Sequence, residues 1–354
     1  MTGGQAQLAP RPPERALAVE LLRILEQHTG VPGLAYAVPP VPLAGGFWAA
    51  LYGFRLSHGP QELSGDLVLR VMPTDEAHCR REALMQAAAS GAGFPAPRIH
   101  LTGGREAGLG RPFIVMDRAP GGTVASGLGG WEKTRALARM PALLAETMAQ
   151  LHALDPGMVS EARDAASVAT VLGELAERIE PLGLDGFATA LAWLYEHQPV
   201  ERRRVICHGD LHPFNLVIVN GRASALLDWT NAVLADPAFD VAYTSQLLAL
   251  WPVAVPGVPR CLLKPSAGRL AASRFLAEYR RRARVEAAPR EWYKALHALR
   301  LLTRVARWHT GITRPPRARN HPWQLAAADA ASAFQRHTGV KIELPPARER
   351  AADP

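Results

Sequence analysis

One stretch constrains this chain more than any other: Val205-Ile-Cys-His-Gly-Asp-Leu-His-Pro-Phe-Asn-Leu-Val-Ile-Val219, followed a few residues later by Ala225-Leu-Leu-Asp-Trp229. Two apolar, β-branched runs flank a polar segment that carries His208, Asp210 and Asn215, and a third run ends at Asp228. The pattern predicts strand, loop, strand, turn, strand. A loop pinned at both ends by buried strands can hold an acid, an amide and a second acid in fixed places, as metal-assisted chemistry requires.

An ionised Asp210 can accept a proton from a hydroxyl, whereas Asn215 and Asp228 offer the hard oxygen ligands that Mg²⁺ prefers. Two other readings stay open from these residues alone. Asp and Asn are common in turns, and His208 could equally be a core histidine. His208, Asp210 and His212 also stand in H-x-D-x-H order, as ligands of a metal-dependent hydrolase would, although a dinuclear site needs further His/Asp clusters and none lies upstream.

The string His208-Gly-Asp210-x-x-x-x-Asn215 with Asp228-Trp229 resembles the catalytic loop and metal-binding aspartate of the aminoglycoside phosphotransferase and choline kinase branch of the protein-kinase-like fold. Protein kinases carry H-R-D-x-x-x-x-N and D-F-G at these places, and Gly209 in place of Arg is similar to the small-molecule branch. The resemblance spans roughly residues 40 to 310 and is specific at the catalytic loop and Asp228. It implies an α+β, two-lobed fold: a small antiparallel-sheet N-lobe of a five-stranded type and a larger, mainly helical C-lobe. It implies ATP and Mg²⁺ as cofactors and a small-molecule hydroxyl as acceptor. A nucleotide-binding fold that transfers nothing is the alternative, opposed by the presence of every expected polar residue except a lysine.

Upstream, Leu17, Leu21, Leu22 and Leu25 recur at helical spacing within residues 16–28, and a Pro/Gly-rich segment, residues 31–42, is expected to break the chain. Short strands follow at residues 51–56 and 67–72. Between them and the break lies Leu43-Ala-Gly-Gly-Phe-Trp-Ala-Ala50, where Gly45 and Gly46 either bring backbone amides to phosphate oxygens or form an ordinary hairpin turn. In the family that this chain resembles, the third strand supplies a cation to the nucleotide phosphates and pairs it with a glutamate on the next helix. Arg70 and Glu82 match those two, with Arg70 where protein kinases have Lys. Residues 112–116 read as a buried strand, and the resemblance makes Met116, Asp117, Arg118 and Ala119 the hinge that lines the base pocket. The expected division is a disordered lead at residues 1–15, an N-lobe at 16–118 and a helical C-lobe at 119–354.

The C-lobe reads as helices at residues 134–154, 269–284 and 290–309, with further helices between 157 and 204. Asp240, in Ala235-Asp-Pro-Ala-Phe-Asp240, resembles the family's aspartate that fixes the catalytic loop, and it is expected to cap the helix that starts there. Residues 291–301 also resemble a helix of the branch related to kinase domains of acyl-CoA-dehydrogenase-linked proteins.

The chain of 354 residues, 48% hydrophobic and 20% charged, suits a globular protein with a sizeable core. No run of about 18 apolar residues occurs, and Met1 to Glu14 holds no apolar signal core, so a cytoplasmic protein without a membrane span is expected. Cys79, Cys207 and Cys261 suggest neither a disulfide framework nor a zinc site. The net charge of +8 is uneven, with +13 carried by residues 260–354 and −5 by the rest. On residues 290–309, His297, Arg300, Arg304 and Arg307 fall on one helical face opposite Trp292, Leu296 and Leu299. That face is either a solvated surface or a wall favouring an anionic or neutral acceptor, such as a hydroxyacyl thioester of coenzyme A, over an aminoglycoside. Nucleic acid is not the expected partner.

Overall fold

A computed structural model of the chain describes residues 14–43, 49–73, 76–124, 128–160, 165–249, 265–283, 290–313 and 322–347. The expected glycine turn at Gly45 and Gly46 and nearly all of the expected lead lie outside these residues. The chain forms two compact units, one of residues up to Gly122 with Gly157–Ala165 and Leu216–Ala232, the other of Thr123–Pro156, Ala166–Asn215 and Val233 onward.

The first unit is built on an antiparallel sheet of β1 (Ala35–Pro42), β2 (Ala50–His58), β3 (Leu67–Val71), β4 (Ile99–Gly103) and β5 (Phe113–Asp117), in the order β1-β2-β3-β5-β4. Strand alternation in β3 sends Leu67, Leu69 and Val71 to one face, where helix α1 (Glu14–Thr29) buries Leu17, Leu21 and Leu25 against them. Val68 and Met72 take the opposite face, against Cys79 and Ala83 of α2 (Glu76–Gly91). Arg70 shares that second parity, so the sheet period alone directs it toward α2.

The segment expected to break the chain includes a strand instead. Pro39, Pro40 and Pro42 lie in β1, an edge strand whose register against β2 shifts three times. Proline removes a ladder donor, and an edge strand tolerates that where a central one would not. β4, with His100 and Thr102 in its middle, has no apolar run to announce it.

The same unit contains the hairpin of β7 (Leu216–Val219) and β8 (Arg222–Leu226). Asn220 and Gly221, at φ 52° and 73°, turn it; both central residues of a type I′ turn need positive φ, which explains the Asn-Gly pair. Residues just past β5 join the hairpin, with Ile218 N donating to Gly122 O at 2.8 Å.

The second unit is mainly helical: α3 (Gly130–Leu151), α5 (Val168–Ile179), α6 (Asp185–Glu196), α7 (Ala238–Ala249), α8 (Pro265–Arg282), α9 (Arg290–His309) and α10 (Pro322–Thr338), while the short α4 (Gly157–Ser160) belongs to the first unit. The two-stranded pair β6 (Val205–Cys207) and β9 (Val233–Ala235) runs through its core. Phe187, Phe239, Trp292, Leu296, Leu299 and Phe334 pack round that pair, each large side chain contributing about 1.5–3 kcal/mol on burial. Among the described residues, no helix is long and apolar enough to cross a membrane.

Gly121 has φ +108°, and a Cβ there would fall 2.4 Å from Ile218 O. Backbone strain and overpacking together should make Gly121→Ala cost about 2–5 kcal/mol, read as a lower urea midpoint at an unchanged m-value.

Candidate active site

β6 ends at Cys207, and the chain leaves it through His208 and Gly209 into the polar loop. Gly209 has φ 73°, a conformation that an arginine would adopt only under strain. The carboxylate of Asp240 fixes this exit: its Oδ2 accepts the backbone N–H of His208 at 2.8 Å and its Oδ1 that of Gly209 at 2.6 Å. His152 Nε2 lies 3.1 Å from Oδ2 and its Nδ1 lies 2.7 Å from the Tyr279 hydroxyl. Burial alone would raise the Asp240 pKa, yet the His152 hydrogen bond and charge, with the Gly209 N–H, hold it below the ordinary carboxylate value.

Asp240 does not cap its helix as expected. Asp236 does so, accepting the Ala238 N–H at 2.9 Å, because α7 begins at Ala238 and places Asp240 already inside its first turn. The supporting role expected of Asp240 is therefore met through the loop and not through the helix terminus.

Beyond Gly209 the loop closes on itself. Asn215 Nδ2 donates to Asp210 O at 2.9 Å, and Asn215 N to His212 O at 3.0 Å. Thr244 of α7 donates to Leu211 O at 2.8 Å. With its NH₂ committed to the Asp210 carbonyl, the Asn215 amide has its oxygen as the hard donor suited to a divalent cation. The Asp210 carboxylate is 15% exposed, and its Oδ1 accepts a hydrogen bond from the hydroxyl of Tyr243. Desolvation and the neighbouring Asp210 raise the Tyr243 phenol well above its usual range, so it stays a donor.

The first unit carries a separate charged cluster. As the sheet parity requires, Arg70 Nη1 lies 3.3 Å from Glu82 Oε1 on α2. Its Nη2 donates to Asp228 Oδ1 at 2.8 Å and to Thr230 Oγ1 at 3.0 Å. Thr230 in turn donates to Glu82 Oε2 or Asp228 Oδ1, at 3.1 and 2.7 Å. Burial lowers the Arg70 pKa, but Glu82 and Asp228 more than restore it, whereas burial pushes Glu82 up in spite of Arg70. Asp228 has φ 64°, strain held in place by Trp229, which is fully buried and donates through Nε1 to Leu226 O at 2.9 Å. The Asp228 side chain is 31% exposed, and a carboxylate so placed is a donor of the type that Mg²⁺ takes.

The expected hinge is partly committed to the sheet. Asp117 N donates to Arg98 O at 2.9 Å and Arg118 N to Asp66 O at 2.8 Å. Asp117, Arg118 and Ala119 line a cavity of about 710 Å³ with Arg98, Pro120 and Ser224. Met116 is absent from that lining; its side chain is buried beside Gln86, whose Nε2 is 3.4 Å from the sulfur.

His212 Nε2 lies 3.6 Å from Asp210 Oδ1, but His208 does not join them as a third metal ligand. Among the described residues the one His/Cys/carboxylate group within ligand distance is His152, Cys207 and Asp240. Asp240 is spent on backbone N–H groups there, and burial keeps Cys207 a thiol. Tyr243 and His152 had no short-range signal in the sequence, because their carboxylate partners lie 33 and 88 residues away, and Thr230, although two residues from Asp228 in sequence, meets Arg70 and Glu82 only across the fold.

A family model described as the phosphotransferase enzyme family matches residues 41–282. Acyl-CoA dehydrogenase family member 10 of Mus musculus is 27% identical over 192 residues, which are 50% of this chain and 18% of that protein. The chain thus spans under a fifth of the length of the curated relatives it matches. A choline/ethanolamine kinase family protein from Mesorhizobium loti is 16% identical at a TM-score of 0.57, with 91% of this chain and 98% of that one covered. An aminoglycoside phosphotransferase in ternary complex with AMP-PNP and hygromycin B is 18% identical at a TM-score of 0.56, with 91% and 99% covered. These likenesses show the fold, which is the protein-kinase-like one expected.

Because the folded-state pKa of Asp240 lies below its ordinary value of 3.8, its contribution to stability is complete above that pH and is lost as the pH falls through the depressed value. Asp240→Ala should cost about 3–5 kcal/mol at neutral pH. In urea titrations from pH 7 downward, the gap between wild type and variant should hold until pH 3.8 and narrow below it.

Proposed function

The chain belongs to the phosphotransferase enzyme family, and from that premise we propose that it transfers the γ-phosphoryl group of ATP to a hydroxyl of a small molecule. The observation that carries this reading is the self-closed loop from Asp210 to Asn215, anchored through the two N–H groups that Asp240 accepts. Such anchoring presents one carboxylate and one amide oxygen without a conformational search at the moment of reaction. The complex of a structural neighbour with AMP-PNP supports ATP as the donor.

In this reading Asp210 accepts the proton of the acceptor hydroxyl as that oxygen forms its bond to phosphorus and the bond to ADP breaks. Asn215 through its amide oxygen and Asp228 through its carboxylate are oxygen ligands for Mg²⁺. Bound Mg²⁺ would neutralise charge that develops on the phosphoryl oxygens. Arg70, positioned by Glu82, both holds Asp228 and offers a guanidinium to phosphate oxygens, as does the family's lysine. Gly45 and Gly46 are assigned to phosphate contact, and the segment of Met116, Asp117, Arg118 and Ala119 to the base. For the acceptor, an anionic or neutral hydroxylated metabolite is preferred to an aminoglycoside, and the acyl-CoA in the mouse relative's name supports a hydroxyacyl thioester as one member of that class.

Asp210→Asn should cut kcat by about 10²–10⁴ while ATP affinity stays near the wild-type value. Turnover close to wild type would remove Asp210 from the chemistry. In calorimetric titrations, Asp228→Ala should abolish the tightening of ATP binding by Mg²⁺; a metal dependence equal to that of the wild type would place the ligand elsewhere.

A further inference from the structure

Three residues of α7 address the loop that follows β6. Asp240, Tyr243 and Thr244 stand at i, i+3 and i+4, the spacing of one helical face. Along that face Asp240 accepts the N–H groups of His208 and Gly209, Tyr243 donates to the Asp210 carboxylate, and Thr244 donates to Leu211 O. Four consecutive loop residues are thus met by three side chains of one helix. Asp240 and Thr244 hold backbone, whereas Tyr243 holds a side chain.

Tyr243 is itself fixed from behind. Its ring stands edge-on to His297 of α9, with centroids 5.2 Å apart. His297 is 6% exposed; its Nε2 donates to Phe239 O at 2.8 Å and its Nδ1 lies 3.3 Å from Arg300 Nη1. Burial and the nearby Arg300 push its pKa down to about 3, so the imidazole is neutral. With both ring nitrogens engaged, His297 leaves the Tyr243 hydroxyl to Asp210. The histidine expected on a basic face of α9 is therefore a neutral packing residue.

The two oxygens of Asp210 are left in different states. Oδ1 accepts the Tyr243 hydroxyl and faces His212, whose Nε2 is 3.6 Å away. The Phe214 N–H donates to His212 Nδ1 at 3.2 Å, so the neutral ring carries its proton on Nε2, on the side of Oδ1. In that tautomer Nε2 cannot relieve Asp210 of a proton. Oδ2 makes no hydrogen bond among the described residues, in a carboxylate that is 15% exposed. The terminal torsion of an aspartate is broad and roughly two-fold, so without a tether either oxygen could turn toward an acceptor.

We propose that Tyr243 is a positioning residue: by fixing Oδ1 of Asp210 it presents Oδ2 as the oxygen that takes the acceptor's proton. The proton step rests on the function proposed above; the tether itself is a property of α7 and the loop. In that step the acceptor O–H bond breaks and its proton passes to Oδ2. The acceptor oxygen forms its bond to the γ-phosphorus, and the bond from phosphorus to the bridging oxygen breaks with its electron pair leaving on ADP. Tyr243 gains and loses no proton.

Tyr243→Phe keeps the ring and removes the donor, and two measurements on the full chain use it. The first needs no acceptor: a double-mutant cycle of urea unfolding with Tyr243→Phe and Asp210→Ala. The expected coupling is about threefold or more in the unfolding equilibrium constant, and additive effects overturn the tether. The second is steady-state transfer from ATP to glycerol, choline, 3-hydroxybutyryl coenzyme A and kanamycin in turn. With whichever compound accepts phosphate, Tyr243→Phe should lower kcat about 10–100-fold, as loss of one hydrogen bond to a charged group does, with KM for ATP within about twofold of wild type. Made in Asp210→Asn, the same substitution should have no further effect on kcat, because it acts through the carboxylate. A residue that served packing alone would lower kcat equally in both backgrounds. That equal loss, or a kcat unchanged in Tyr243→Phe, overturns the positioning role. Wild-type transfer without an effect of Tyr243→Phe removes only that role. Coupling without wild-type transfer to any of the four compounds removes the function, and the proton step with it, and leaves the tether standing.

Discussion

The buried carboxylate of Asp240 is the constraint on which the loop from His208 to Asn215 depends. Two consecutive backbone N–H groups leaving β6 have no strand partner once the chain turns through Gly209, and buried amides left without acceptors are costly. Asp240 accepts both, at 2.8 and 2.6 Å, and its Oδ2 also lies 3.1 Å from His152 Nε2. Asp210 follows directly, so its carboxylate inherits its position from a hydrogen-bond network and not from a flexible tether.

A different device governs the first unit. There Asp228 is held at positive φ between a buried tryptophan that pins the chain behind it and an arginine delivered by the parity of β3. Arg70 meets both Glu82 and Asp228, and the Thr230 hydroxyl lies within hydrogen-bond distance of both acids. A buried ion pair is weak support for stability in itself, because desolvation offsets much of the attraction. Its value here is geometric: the planar fork of arginine can address two carboxylates at once, which the single ammonium of a lysine does less rigidly.

Much of this was legible in the sequence where the controlling interactions are local. The apolar runs on either side of Asp210 and Asn215 mark a loop pinned between two strands, whereas its closure through Asn215 shows only in the folded chain. Asn220-Gly221 has the signature of a hairpin turn. Features set by distant partners were not legible. β1 is a strand in spite of three prolines because it lies at a sheet edge, and nothing within residues 35–42 says so. The choice between Asp236 and Asp240 as the helix cap depends on where α7 begins, and His152 finds its carboxylate 88 residues away. The neutrality of His297 follows from burial between helices that no periodicity of α9 alone reveals.

The central claim is that this chain moves a phosphoryl group to a carbon-borne hydroxyl. The most direct measurement is ³¹P NMR of ATP incubated with the protein, Mg²⁺ and a panel of hydroxylated metabolites. The account predicts a new phosphomonoester resonance that grows as the β- and γ-phosphate signals of ATP give way to ADP. ATP that remains unchanged across the panel, or yields inorganic phosphate alone, would contradict it.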